Sequence, residues 1–220
     1  MPSFHDFRFL STDGKHNVFA RECTPDGEVR AVLQIAHGVA EHIYRYAPFM
    51  EFLAENGFVV VANDHLGHGK TAENEQELCF FAEKDGWNDV VSDMDTLHKL
   101  TAAKYPGVPY FLFGHSMGSF LTRTYIIDHP EGLKGVVISG TGQNPGAVIA
   151  AGKLMAKLEM IDNGPMYHSP MLDKLAFGSY NKKYDHVRTK LDWLTRDEAV
   201  VDAYIAEPLC GAMATAGMFH

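Results

Sequence analysis

The chain has 220 residues, of which 46% are apolar and 21% charged. That suits one ordinary globular domain, long enough to bury roughly 70% of its unfolded surface without staples. The net charge of −9 comes with no basic stripe, and Lys182-Lys183 is the nearest approach. A nucleic-acid partner is therefore not expected. Cys23, Cys79 and Cys210 are widely spaced and odd in number. They form neither a disulfide framework nor a metal spacing, and reduced thiols in a cytoplasmic protein are the simple reading. The start, Met1 to Asp6, has no basic and apolar leader. No window holds 18 apolar residues without a charge, so no transmembrane helix is expected.

Taken in chain order, Phe4 to Leu10 and Asn17 to Cys23 alternate apolar and polar residues around Asp13-Gly14, which predicts an antiparallel hairpin. Four nearly unbroken apolar runs follow: Ala31 to Ala36, Phe58 to Ala62, Tyr110 to Phe113 and Gly135 to Ile138. Such runs suit parallel strands buried on both faces. Helical periodicity separates them, over Tyr44 to Glu55, Asn88 to Lys104 and Met117 to Ile127. This alternation predicts a doubly wound α/β sheet. After Ile138 it breaks. Gln143 to about Tyr204 reads as a helical insertion, with helices over Ala147 to Met160 and Arg196 to Ala206, the latter capped by Thr195. A last helix is expected over Leu209 to Phe219. The expected organisation is a core over 1–142, a helical cap over 143–207, and the start of a returning core over 208–220.

The chemistry concentrates at Gly114-His115-Ser116-Met117-Gly118, between an apolar strand and an apolar helix. A serine at a sharp strand-to-helix turn is strained so that its Oγ is exposed, and glycines at Gly114 and Gly118 keep that turn free of side-chain collisions. Ser116 is thus the candidate catalytic nucleophile. The helix that follows points its N-terminus at the site, which favours developing negative charge. Acyl transfer also needs two N–H donors for the tetrahedral oxyanion. Met117, after the nucleophile, supplies one. Val39, in the loop His37-Gly38-Val39-Ala40-Glu41-His42 after the strand Ala31 to Ala36, supplies the other, with His37 and Gly38 shaping the loop. Asn63 to Lys70 holds Asp64, His65 and His68. A structural turn that braces the site is the preferred reading there over a metal site, since spacing suggests no third ligand. His115 is expected to point away from Ser116 Oγ.

Three segments together resemble the monoacylglycerol lipase and lysophospholipase (serine aminopeptidase-like) branch of the α/β-hydrolases. They are His37-Gly38 through Glu41-His42 with Arg45-Tyr46, then Asp64-His65-Leu66-Gly67-His68-Gly69, then the pentapeptide around Ser116. The likeness covers Met1 to about Thr141 and continues more loosely into the insertion, which matches that family's cap. It implies an α/β-hydrolase fold and a serine ester hydrolase of carboxylesterase or lipase type, without metal or organic cofactor. Its substrates would be lipid-like acyl esters, a monoacylglycerol or lysophospholipid, and it leaves open a peripheral membrane contact through the cap. It also implies a triad in the order Ser, Asp, His, with the acid and base after later strands. Neither Asp128, Asp162, Asp173, Asp185, Asp192, Asp197 nor Asp202 follows a buried strand, and neither do His129, His168, His186 or His220. The acid and base stay unassigned. The C-terminal strands of the fold are expected to be missing, about two strand–helix units of roughly 30 residues each. Two rivals remain: a proline-iminopeptidase-like peptidase using Glu159 and Asp162 to hold a free amino terminus, and a catalytically silent fragment that binds a ligand or partner chain.

Overall fold

A computed structural model describes residues 1–220. Two strands, β1 (Ser3–Leu10) and β2 (Asn17–Thr24), pair antiparallel as a hairpin. β2 then joins β4 (Phe58–Asn63), also antiparallel. From there the sheet is parallel, through β3 (Ala31–Ala36), β5 (Tyr110–His115) and β6 (Leu133–Ser139). The order across the sheet is β1-β2-β4-β3-β5-β6. β3 comes between β4 and β5, so its carboxyl end, and the loop that follows, stands directly beside the end of β5.

Alternate residues of the strands feed opposite faces, as a pleated backbone requires. Leu33, Ile35, Val60 and Ala62 pack with Met50 and Ala54 of helix α1 (Ala47–Glu55). On the other face, Ala36 and Leu112 pack with Val90, Val91 and Met94 of α2 (Gly86–Lys104) and Leu121 and Tyr125 of α3 (Met117–Asp128). Gln34 is the one polar residue in the middle of β3. It is tolerated because its amide donates to Met94 O (2.9 Å) and accepts from Tyr110 Oη (2.6 Å).

Three expectations need correcting. The run Gly135 to Ile138 is not buried on both faces. β6 is the edge strand, and Val136, Val137 and Ile138 are exposed. Their apolar character cannot reveal whether a neighbour covers them. The helix expected over Leu209 to Phe219 is confined to α7 (Ala216–Phe219). Residues before it run as irregular chain, tied down by Gly211 N–H to Ala40 O (2.9 Å) and Thr215 N–H to Cys79 O (3.2 Å).

Between β6 and α7 lie α4 (Gly146–Asn163), α5 (Pro170–Phe177) and α6 (Glu198–Ala206). α6 is capped by Asp197, whose carboxylate accepts from Ala199 N–H (3.0 Å), rather than by Thr195. Asp197 sits one residue before the helix, where a side-chain oxygen reaches the unpaired N–H groups. Only Ala156 of α4 is buried, and Val148, Leu154, Leu158 and Ile161 are exposed. No helix is long and apolar enough to cross a membrane.

The buried sheet and the exposed side of α4 differ in their tolerance of change. Ile35→Ala, in the fully buried centre, should lower unfolding free energy by about 2–5 kcal/mol, and Ile161→Ala, 70% exposed, by no more than about 0.5 kcal/mol. Urea melts of the two variants measure the difference.

Candidate active site

The turn from β5 into α3 is made by Ser116, with φ 52° and ψ −118°. A residue with a Cβ resists this conformation, which stores about 1–3 kcal/mol and persists only where the surroundings enforce it. Here Ser116 N–H donates to Ser139 O at the end of β6 (2.9 Å). Its carbonyl accepts from Ser119 N–H (2.9 Å) and Ser119 Oγ (2.5 Å). The turn is possible only with glycine on either side. A Cβ at Gly114 would lie 2.2 Å from Thr122 Oγ1 and 2.4 Å from Gly118 O. One at Gly118 would lie 2.0 Å from Ala36 O. The latter contact presses the start of α3 onto the end of β3, and so brings the loop after β3 to the serine.

That loop carries Gly38, where a Cβ would stand 3.2 Å from Ser116 Cβ. Val39 N–H makes no hydrogen bond within the chain. Met117 N–H, at the first position of α3, has no partner in its own helix. The loop with the unpartnered Val39 N–H thus reaches the strained serine at the N-terminus of α3, a helix end that favours negative charge. Ser116 Oγ itself bonds to no histidine or carboxylate. His115 turns toward β6, its Nδ1 3.3 Å from Ser139 Oγ.

Glu41 is the residue that sequence reasoning left as part of a motif without a role. Its side chain is buried, and Oε1 accepts from Gly38 N–H (2.6 Å) and Tyr46 Oη (2.8 Å), while Oε2 pairs with Arg45. The signal was present as a carboxylate three residues after Gly38, yet spacing alone could not tell it from a surface acid. Glu41, Arg45, Tyr46, Phe113 and His115 line a hollow of about 210 Å³ whose wall is about evenly polar and apolar. The Arg45 guanidinium also lies over the Tyr204 ring (4.7 Å), and Tyr204 Oη donates to Ala40 O (2.6 Å), so α6 closes on the same loop.

The segment Asp64 to Lys70 braces this loop from beneath. Asp64 accepts from Ile43 N–H (2.9 Å) and Lys70 N–H (2.8 Å), and burial pushes its carboxyl up to about 6. His65 N–H donates to His37 Nε2 (3.0 Å), and His68 Nδ1 meets Leu66 O (2.9 Å). The His37 ring packs against those of His65 (4.2 Å) and His68 (5.2 Å). At the β1–β2 turn, His16, Glu73 and Glu77 bring three ligand-type atoms within 4.8 Å of one another, with His16 also paired to Asp13.

The family model described as Serine aminopeptidase, S33 matches residues 27–220. The chain is 32% identical over 186 residues to a monoacylglycerol lipase of Mycolicibacterium smegmatis, covering 84% of this chain and 58% of that protein. It is 28% identical over 202 residues to the monoglyceride lipase of Mus musculus, covering 91% and 58%. In structure it resembles a thermostable carboxyl esterase from Bacillus coagulans crystallised with glycerol, with a TM-score of 0.88, 30% identity, and coverage of 99% of this chain and 71% of that one. The chain thus spans little more than half the length of these two lipases.

The buried imidazoles make stability depend on pH. Burial lowers His37 and His68 to about 3 and His65 well below the ordinary 6.5. The unfolded chain takes up these protons first, so the stability they contribute is complete above about pH 6.5 and is lost as pH falls below it. Asp64 acts in the opposite sense: its contribution is lost as pH rises from about 3.8 through about 6. Replacing His65 by Asn should shrink the loss of stability between pH 7.5 and 5.0 by up to about 2 kcal/mol, read from paired urea melts. An unchanged loss would mean that His65 is protonated within the fold. By its matched family model and by the strained serine turn beside the loop with an unpartnered N–H, the chain belongs to the serine aminopeptidase S33 family of α/β-hydrolases, with monoacylglycerol lipases among its relatives.

Proposed function

We propose that Ser116 is the nucleophile of a carboxylic-ester hydrolase acting on lipid-like esters, a monoacylglycerol or a lysophospholipid. The observation that carries this reading is the strained turn that sets Ser116 beside the unpartnered Val39 N–H. In the reaction Oγ adds to the acyl carbonyl and gives up its proton to a base. The carbonyl oxygen becomes an oxyanion between Val39 and Met117 N–H. The alcohol then leaves with a proton, and water hydrolyses the acyl-serine to the free acid. Serine is a weak nucleophile without an adjacent base, so the base and its partner acid are required. They remain unassigned, because no histidine or carboxylate bonds to Ser116 Oγ.

The substrate class rests on two features. The hollow beside His115 carries Glu41, Arg45 and Tyr46, side chains able to hydrogen-bond a polyol head group. The exposed apolar residues of α4 suit an acyl chain or the edge of a lipid surface. The related lipases and esterase support the same class.

Treatment with a fluorophosphonate, followed by intact-mass measurement, tests the nucleophile. One adduct should form on the wild-type chain and none on Ser116→Ala. Parallel assays should show turnover of short-chain acyl esters and monoacylglycerols at least about tenfold faster than of aminoacyl amides, since the hollow offers the amino group no free acid. Faster cleavage of the amides would favour the peptidase. No adduct and no turnover, with apolar ligand still bound, would leave a binding module.

A further inference from the structure

We propose that His37 is a positioning residue, which aims Val39 N–H at the oxyanion by gripping the other end of the same peptide group. The proposal rests on the reading of Val39 as an oxyanion donor.

Gly38 C=O and Val39 N–H belong to one peptide unit. The chain has no cis peptide bond, so the unit is planar and trans, and its C=O and N–H point in opposite directions. His37 Nδ1–H donates to Gly38 O at 2.7 Å. Turning Val39 N–H out of the site would therefore break this bond. The preceding peptide is held too, because Gly38 N–H donates to Glu41 Oε1 at 2.6 Å. That carboxylate is in turn fixed by Tyr46 Oη (2.8 Å) and by Arg45. Gly38 thus sits between two anchored planes. A Cβ there would lie 2.7 Å from Glu41 Oε1 and would push that carboxylate off the Gly38 N–H.

The position of the His37 proton is also determined. His65 N–H donates to His37 Nε2 at 3.0 Å, so Nε2 is the acceptor and the proton resides on Nδ1, facing Gly38 O. A second proton on Nε2 would set one donor against another. The tilted rings of His65 and His68 pack against the imidazole. Donation to Gly38 O also polarises the peptide and strengthens Val39 N–H as a donor. This gives the two buried histidines of the Asp64 to Lys70 segment a part in the reaction although neither touches substrate.

Two near-isosteric variants separate the role from simple packing. His37→Asn places an amide N–H where Nδ1 stands, while His37→Gln places it near Nε2. The Val39 amide resonance, read by ¹⁵N NMR in the unreacted protein, should stay near its wild-type position in His37→Asn and move in His37→Gln. For ester turnover, His37→Gln should lose on the order of 10²-fold in kcat with KM within about twofold, and His37→Asn no more than about tenfold in kcat. A Val39 resonance unmoved in His37→Gln, or equal losses of kcat in both variants, would overturn the proposal. If the His37 variants do not fold, the ¹⁵N shifts of the His37 ring in the wild-type protein apply the test, and a proton on Nε2 rather than Nδ1 overturns the proposal. Absence of turnover in a protein that also carries the base and acid would sink the esterase reading, and the Val39 resonance would still decide whether the clamp exists.

Discussion

The contact on which the site depends is the approach of α3 to the end of β3. Gly118 lies so close to Ala36 O that no side chain could stand between them. This closeness forces Ser116 into its left-handed turn, because β5 must reverse into α3 within one residue. The same closeness delivers the loop after β3 to the serine. A hydroxyl, a helix N-terminus and the loop with the unpartnered Val39 N–H are therefore gathered by a single packing requirement. The strain at Ser116 is sustained by the hydrogen bonds of its own backbone to Ser139 and Ser119.

Around this contact the protein places polar groups where a core would ordinarily be apolar. Glu41, His37, Asp64, His65 and His68 are all buried. Glu41 and Asp64 accept backbone N–H groups of neighbouring loops, and His37 bridges one loop to the other. Loops lack the repeating hydrogen bonds of helices and strands, so side chains must satisfy their backbone groups if they are to be buried and rigid. Rigidity matters because electrostatic stabilisation works best when donors need no reorganisation as charge develops. The acid sensitivity of this region follows from the same choice, since neutral imidazoles in a dry site resist the proton that water would readily give them.

The helices between β6 and α7 follow other rules. They bury few side chains each: Ala156 of α4, Leu172 of α5, and Val201 and Tyr204 of α6. They touch the core through a few polar bonds, such as that from Tyr204 to Ala40. An element held by so few apolar contacts sits at the low-stability end of a fold, which is where elements that admit a ligand are drawn from.

The elements of the core were legible in the amino-acid sequence because their periodicities are local. Ala31–Ala36 was read with its final bounds, and the hairpin, the other strands and α1 to α3 were each found within a few residues. The glycines around Ser116 were legible for the same reason, as a turn of that sharpness demands them within five residues. Other features depend on partners distant in the chain. The exposure of β6 depends on which strand lies beside it, and an apolar run reads alike at an edge or in the middle. The role of Glu41 depends on Gly38 N–H facing it, and the tautomer of His37 depends on a backbone N–H 28 residues away. Local sequence thus determined the strands, the helices and the strained serine. Only tertiary packing decided which buried side chains hold the loop after β3, because burial and hydrogen-bond partners arise from contacts that no short stretch of chain contains.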